Sequence, residues 1–307
     1  MEKVLVTGGM GFIGSYVVEL LISKGYRVDV LDKREAGCLF VDSDLVTYRH
    51  MAIQDVARIS GYDLIIHLAA WSNVRESMVD PIRLYYDNVM ATAVIADLVL
   101  REAGRVQSVV FASSSAVESP ESHYGVSKAA SEMMMNVLDT QVDASVASLR
   151  FANVFGARQN PGNGTLIAKF IDCIFTGNRP QIYGNGSQTR DYIYAGDVAK
   201  AILCSMENRL SGVMNVCTGM SASVELIYNK IKSVAGGLSI KLKQAEHVEG
   251  MPGDKASVRM VPAKELLKQG WKIHPYLEED IKEQIIWQDD MCDLWSTNHY
   301  IDGSLVT

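Results

Sequence analysis

Tyr124 and Lys128 stand four residues apart in Tyr124-Gly125-Val126-Ser127-Lys128. On a helix that spacing places both side chains on one face. An ammonium beside a phenol favours the phenolate, so the pair predicts a Tyr pKa drawn toward neutrality. Such a phenol can take a proton from a substrate hydroxyl while a hydride leaves the same carbon. Alone, this spacing is more often a surface pair. It gains weight from Ser113-Ser114-Ser115, which closes the apolar run Val109-Val110-Phe111-Ala112. A hydroxyl at that strand end can hydrogen-bond the same substrate oxygen.

A departing hydride needs an acceptor, and the first residues of the chain supply a place for one. Gly8, Gly11 and Gly14 lie between the run Val4-Leu5-Val6 and a stretch of helix-spaced apolar residues, Ile13, Val17, Leu20 and Leu21. Glycines there allow a tight turn and a close approach of backbone to a pyrophosphate, and the helix start offers unpaired N–H groups. Asp32 ends the next apolar run, about 20 residues on, where a carboxylate can bind the adenosine ribose hydroxyls. A carboxylate there repels a 2′-phosphate, which favours NAD over NADP. Lys33 and Arg34 follow directly; they fit either a solvated turn or a reversal of that preference.

The elements that must position these groups alternate in type. Strand-like runs at 4–6, 27–32, 64–68, 109–112 and 145–150 are interleaved with helical stretches at 12–24, 82–103 and 124–138. That alternation predicts an α/β fold, a Rossmann-type doubly wound parallel sheet, over residues 1–155. After residue 155 glycine and proline become dense, as in Asn160-Pro161-Gly162-Asn163-Gly164 and Pro252-Gly253. Residues 156–307 are therefore expected to form mainly a smaller C-terminal α/β substrate-binding portion, with the chain crossing between the two parts. The tail beyond Trp295 is expected to be weakly ordered.

Bulk properties exclude some roles. Of 307 residues 48% are apolar, and the net charge is -7, which argues against non-specific nucleic-acid binding. The five cysteines, Cys38, Cys173, Cys204, Cys217 and Cys292, have no zinc-site spacing and read as reduced thiols. No apolar run approaches the ~18 residues of a membrane span, and a strand pattern begins at once, so neither a membrane span nor a signal peptide is expected. A cytoplasmic protein without a metal site is expected.

Taken together, Gly8 to Gly14, Asp32, His67-Leu68-Ala69-Ala70, the serine run and Tyr124/Lys128 resemble the extended short-chain dehydrogenase/reductase family. Arg150 to Gln159, Arg190 to Ala199 and Asn215 to Gly219 resemble segments of its NAD-dependent epimerase/dehydratase members, and among these the UDP-glucose 4-epimerase-like nucleotide-sugar epimerases. The resemblance implies catalysis by Ser114, Tyr124 and Lys128, with Ser115 the alternative serine. It implies NAD contacts from Gly8, Gly11, Phe12, Ile13, Gly14, Asp32, Lys33, Asp55, Val56, Leu68, Ala69, Ala70 and Asn88, besides Tyr124 and Lys128. Substrate contacts fall to Ser114, Ser115, Asn153, Gln181, Ile182, Tyr183, Arg190 and Asp254. Asn153 and Arg190 would hold the diphosphate; a turn cap and an ion pair with Asp191 are their structural alternatives. His67 reads as a packed strand residue. Relatives commonly form homodimers through two helices, matching 82–103 and 124–138, and the run Met133-Met134-Met135 fits either core or interface.

The resemblance also bears on the reaction. Dehydratases carry a Thr-Asp-Glu run where this chain has Ser114-Ser115-Ala116, which disfavours water elimination. A 4-epimerase acting on a UDP-hexose, through a transient 4-keto sugar and bound NAD, is the leading expectation. A 4-keto-sugar reductase uses the same residues, and a non-catalytic NAD(P)-sensing protein is the reading of another class, opposed by the intact Tyr124 and Lys128. Three departures stand out: Glu118-Ser119 replaces a usual Tyr-Gly, the segment from there to Tyr124 is much shorter than in most relatives, and Met251 stands where many relatives have a phosphate-binding Arg. Lys255 or Arg259 could substitute for it. If the register through Asp254 holds, Val258 replaces a bulky Tyr and suggests tolerance of 2-acetamido sugars.

Overall fold

The apolar runs become strands, and the glycine-marked end of the first becomes the turn into a helix. In chain order the elements are β1 (Lys3–Thr7), α1 (Phe12–Ser23), β2 (Arg27–Asp32), β3 (Val46–His50), β4 (Leu64–His67), α2 (Val74–Ser77), α3 (Pro81–Tyr85), α4 (Ala91–Arg101), β5 (Ser108–Ser114), α5 (His123–Asp139) and β6 (Ser145–Phe151). There follow β7 (Asn153–Phe155), α6 (Leu166–Thr176), β8 (Gln181–Tyr183), β9 (Thr189–Tyr194), α7 (Ala195–Glu207), β10 (Gly212–Val216), β11 (Ser221–Ser223), α8 (Val224–Gly237), β12 (Glu246–Val248), α9 (Lys264–Lys268) and α10 (Leu277–Thr297). This computed structural model describes residues 2–34, 41–102, 104–162, 165–250, 257, 259–274, 277–297, 300–301 and 304–305.

The chain divides into two compact units. The first comprises Met1–Phe151, Val198–Val216 and Pro262–Lys272. Its seven-stranded sheet has the order β3-β2-β1-β4-β5-β6-β10, and every pairing is parallel. The strand order reverses between β1 and β4, the point where such sheets open a crevice for a dinucleotide. Strands buried on both faces need apolar residues at consecutive positions, not alternate ones. Accordingly Val4, Val6, Ile65, Ile66, Val109 and Val110 are all nearly inaccessible, each contributing roughly 1.5–3 kcal/mol by burial. β10 lies beyond residue 155 in sequence yet completes this sheet, pairing with β6 from Gly212 opposite Ala147 to Val216 opposite Phe151.

The second unit comprises Ala152–Asp197, Cys217–Val261 and Ile273–Thr307. It holds a three-stranded sheet, β11-β9-β7, and the parallel pair β8–β12. Its core gathers Phe155, Phe170, Ile171, Tyr228, Ile231 and Ile285, from β7, α6, α8 and α10. Phe170 and Tyr228 meet edge to face, with centroids 6.1 Å apart.

Candidate active site

The glycine turn after β1 is built as a cradle. Gly8 has φ +72°, and a Cβ there would lie 2.6 Å from the Ala69 amide nitrogen. Gly14 is tighter, since its Cβ would fall 2.1 Å from the Gly8 carbonyl oxygen. So the turns after β1 and β4 touch backbone to backbone at the switch point, and any side chain would force them apart. α1 starts at Gly11 with no side-chain cap and no acid in its first turn. The N–H groups of Phe12, Ile13 and Gly14 thus face outward without a protein anion, which suits a pyrophosphate. Leu68 N donates to the Thr7 carbonyl, and Ala69 N to Thr7 Oγ1 at 3.3 Å, fixing the opposite wall.

Asp32, 7% exposed, is held at the end of β2: Oδ2 accepts from Met10 N at 3.1 Å and Oδ1 from Arg34 N at 3.0 Å. Lys33 is an exposed side chain paired with Asp87 at 2.7 Å. Asp55 ends a single helical turn at Ile53–Asp55 and is exposed, while Val56 is half-buried against the core. Asn88 is 2% exposed and lies in a widened helical turn, Tyr86–Met90. Its amide donates to the Trp71 carbonyl and Ser127 Oγ, and its oxygen accepts from Trp71 N. Asn88 therefore braces the turn after Ala69 and Ala70 against α5.

Tyr124 and Lys128 stand in the first turns of α5, whose start is capped by Ser122. Ser114 is the last residue of β5; its side chain lies beside the Tyr124 phenol and acts to lower the phenol's pKa, and its hydroxyl accepts from Ala116 N at 3.2 Å. Ser113 points elsewhere, to Glu132, and Ser115 opens the following turn, Ser115–Glu118. Lys128, 4% exposed, donates to the Ala112 carbonyl at 2.8 Å. Burial lowers its pKa to about 7.

The electrostatics correct one expectation. Burial pushes the Tyr124 phenol up, and Ser114 opposes that only in part. Lys128 does not act on the phenol to offset this; its Nζ is turned to the Ala112 carbonyl. The protein's own groups hold Tyr124 protonated, the form that donates to a carbonyl oxygen. His67 is 1% exposed and hydrogen-bonded to Thr7 Oγ1 at 2.7 Å and Thr92 Oγ1 at 3.2 Å. Burial lowers its pKa to about 3. It is a neutral packing residue of β4.

In the second unit, Asn153 and Arg190 open onto β7 and β9. Asn153 Nδ2 donates to the Asp191 carbonyl at 3.1 Å, and Arg190 Nη1 to the Thr189 carbonyl at 2.8 Å. Asp191 does not serve Arg190, because successive strand residues face opposite sides. Its buried carboxylate instead accepts from Thr218 N, Thr218 Oγ1 and Gly219 N. The same alternation corrects β8: Ile182 is fully buried in the core, while Gln181 and Tyr183 lie on the other face. Ile182 therefore cannot flank a nucleobase. Asp254, with Met251, Lys255 and Val258, lies outside the described residues.

Sequence reasoning passed over Glu132, the buried carboxylate on α5, although it continues the Tyr124, Lys128 spacing by one more turn. It also passed over Trp71, whose ring lies under the Arg83 guanidinium at 4.8 Å. Among the described residues no cluster of metal-binding side chains occurs, and no helix is long and apolar enough to cross a membrane.

Residues 4–217 match the model of the NAD dependent epimerase/dehydratase family. The UDP-glucose 4-epimerase of Mycolicibacterium smegmatis is 31% identical over 262 residues, covering 76% of this chain and 83% of that protein. Among solved structures, the UDP-N-acetylglucosamine 4-epimerase from Methanobrevibacter ruminantium M1, in complex with UDP-N-acetylmuramic acid, has a TM-score of 0.86 at 29% identity, covering 94% of this chain and 99% of that one. The UDP-glucose 4-epimerase of Thermotoga maritima with UDP-glucose has a TM-score of 0.85 at 28% identity, with the same coverage. With its glycine cradle, its Ser114–Tyr124 pair and these likenesses, the chain belongs to the NAD dependent epimerase/dehydratase family.

Proposed function

We propose that the protein is a UDP-sugar 4-epimerase that uses NAD and inverts C4 of a hexose through a transient 4-keto sugar. The observation that carries this reading is the juxtaposition of Ser114 at the end of β5 with Tyr124 and Lys128 on α5, in the unit that also holds the glycine cradle. Bound NAD supplies a ring that accepts and returns hydride, and whose positive charge favours the phenolate. Tyr124 takes the C4 hydroxyl proton and later gives it back to the keto oxygen. Ser114 hydrogen-bonds that oxygen in both states. Lys128 fixes the helix register through Ala112 and adds partial positive charge. The cradle residues Gly8, Gly11 and Gly14, with Asp32, hold the pyrophosphate and adenosine ribose.

In this reading the second unit takes the nucleotide. Asn153 and Arg190 hold the diphosphate, Gln181 and Tyr183 the base, and Asp254 its ribose. The sequence between Ser114 and Tyr124 supports epimerisation over dehydration, since Ser115 and Ala116 offer no acid–base pair for water loss. The scattered thiols support a cytoplasmic location.

The reading also includes a homodimer. Ile82, Tyr86 and Met90 recur every four residues along one helical stretch, 82%, 55% and 49% exposed. Val126, Met133 and Val137 add a second exposed stripe on α5. Of the run Met133-Met134-Met135, Met135 is fully buried in the core and Met134 half-buried, which leaves the exposed Met133 for an interface. Monomers rarely leave such a stripe to water, and a second copy of this chain is the occupant the self-matching apolar surface fits.

The deciding assay incubates the purified protein with UDP-glucose, UDP-N-acetylglucosamine or UDP-glucuronate, without added reductant, and separates the products by chromatography. Appearance of a C4 epimer is expected. Conversion that requires stoichiometric NADH consumption would replace epimerase by keto-sugar reductase.

A further inference from the structure

The inner face of α5 carries a carboxylate that the chemistry above does not use. Glu132 is 6% exposed and lies one turn beyond Lys128 and two turns beyond Tyr124. All three project from one side of the helix. Three donors converge on it. Ser113 Oγ reaches Oε2 at 2.8 Å, Arg150 Nε reaches Oε2 at 3.0 Å, and Arg150 Nη2 reaches Oε1 at 2.7 Å.

Ser113 and Arg150 face each other as paired residues of β5 and β6. The next residue of β5 is Ser114, whose hydroxyl meets Tyr124. One carboxylate therefore fastens the helix that carries Tyr124 to the strand that carries Ser114. The planar guanidinium makes the join directional, since a two-point fork fixes angle as well as distance. The half-exposed Glu118, 3.9 Å from Arg150 Nη1, adds a second negative charge on the outer side of the same guanidinium. A buried ion pair is weak evidence for stability but a plausible device for fixing geometry.

We propose that Glu132, held by Arg150 and Ser113, is a positioning residue that sets the Ser114–Tyr124 geometry and through it the rate of the chemical step. This rests on the epimerase reading above. Glu132 touches neither substrate nor cofactor; it acts through α5. A misplacement of about 1 Å at a reacting group costs about 100-fold in rate, and the joint is built to prevent that.

The test uses the full chain labelled with 3-fluorotyrosine, the Tyr124 resonance being assigned with Tyr124→Phe. In the double variant Glu132→Met/Arg150→Met, both members of the buried pair go together and Glu118, which loses Arg150, remains solvated, so the fold is expected to survive. Expected are a displaced Tyr124 resonance and a kcat lower by about 100-fold, with KM within about threefold. Ser113→Ala keeps the ion pair and removes one tether; about a fivefold loss of kcat with a smaller displacement is expected. The two readouts must move together. Either moving alone, or neither moving, in a folded variant overturns the proposal. If the double variant does not fold, Ser113→Ala decides by the same criterion. If the parent epimerises none of the three UDP-sugars, the functional reading fails, and the Tyr124 resonance alone decides whether Glu132 positions that side chain.

Discussion

Lys128 Nζ donates to the Ala112 carbonyl oxygen at 2.8 Å, from a side chain only 4% exposed. Burial lowers its pKa to about 7, against 10.5 in an unfolded chain, so between those values the unfolded state binds more protons. Stability then rises with pH through that window: the contribution is complete above pH 10.5 and lost as pH falls toward 7. From the shift, the difference is at most about 5 kcal/mol. Lys128→Met removes it. The Tm of the parent should climb relative to Lys128→Met between pH 7 and 10, and parallel curves would show that Lys128 stays charged in the fold.

Tyr124→Phe keeps the ring and removes the hydroxyl that lies beside Ser114. Loss of a general acid–base group lowers kcat by about 10²–10⁴-fold. The cradle at Gly8 and Gly14 is untouched, so NAD affinity should stay within about twofold by titration calorimetry. A Tyr124→Phe enzyme turning over at the parental rate would remove Tyr124 from the chemistry.

His67 titrates in the opposite pH region. Its folded pKa is about 3 because of burial, against 6.5 unfolded. Stability from keeping it neutral is complete above pH 6.5 and disappears as pH falls toward 3. His67→Gln cannot take up that extra proton, so the acid limb of its stability curve should be shallower than the parent's. Urea unfolding at pH 4.5 and 7 measures this; equal acid losses in both proteins would contradict it.

The glycine turn after β1, the placing of Tyr124 and Lys128 on one helix and the parallel sheet were legible because each depends on local signals. Glycine spacing, a four-residue interval and short apolar runs all survive in one dimension. What remained hidden depends on which way a side chain turns. Ser113 and Ser114 are indistinguishable in the sequence, yet one faces Glu132 and the other Tyr124. Ile182 reads like its neighbours but strand alternation puts it in the core. The Tyr124 phenol could not be assigned correctly from Lys128 alone, because the burial that raises its pKa is a property of the packed sheet and helix. β10 joins its sheet across a long sequence gap, which periodicity cannot register.

Gly14→Ala tests the cradle directly. The added methyl would lie 2.1 Å from the Gly8 carbonyl oxygen and 2.7 Å from Gly9 Cα. Both are backbone atoms, so relief requires moving the turn or the start of α1, not a side-chain rotation. NAD affinity should fall by at least about 100-fold, equivalent to about 2.7 kcal/mol, with a lower Tm. Calorimetric titration with NAD checks this, and unchanged affinity would mean that the turn is not the pyrophosphate site.

The exposed stripe on α3 and α5 gives the last prediction. Ile82 is 82% exposed and Met133 69%, so neither supports the monomer core. Replacing both by Glu should leave the fold and Tm of the isolated subunit nearly unchanged, since surface substitutions away from core features cost within about 0.5 kcal/mol. In a dimer built on this face, each copy would instead bury two carboxylates beside those of its partner, with no cation supplied from the same stripe. Ile82→Glu/Met133→Glu should therefore halve the mass measured by light scattering at micromolar concentration. A parent that is already monomeric would overturn the homodimer, and a variant that keeps the dimer mass would place the interface elsewhere.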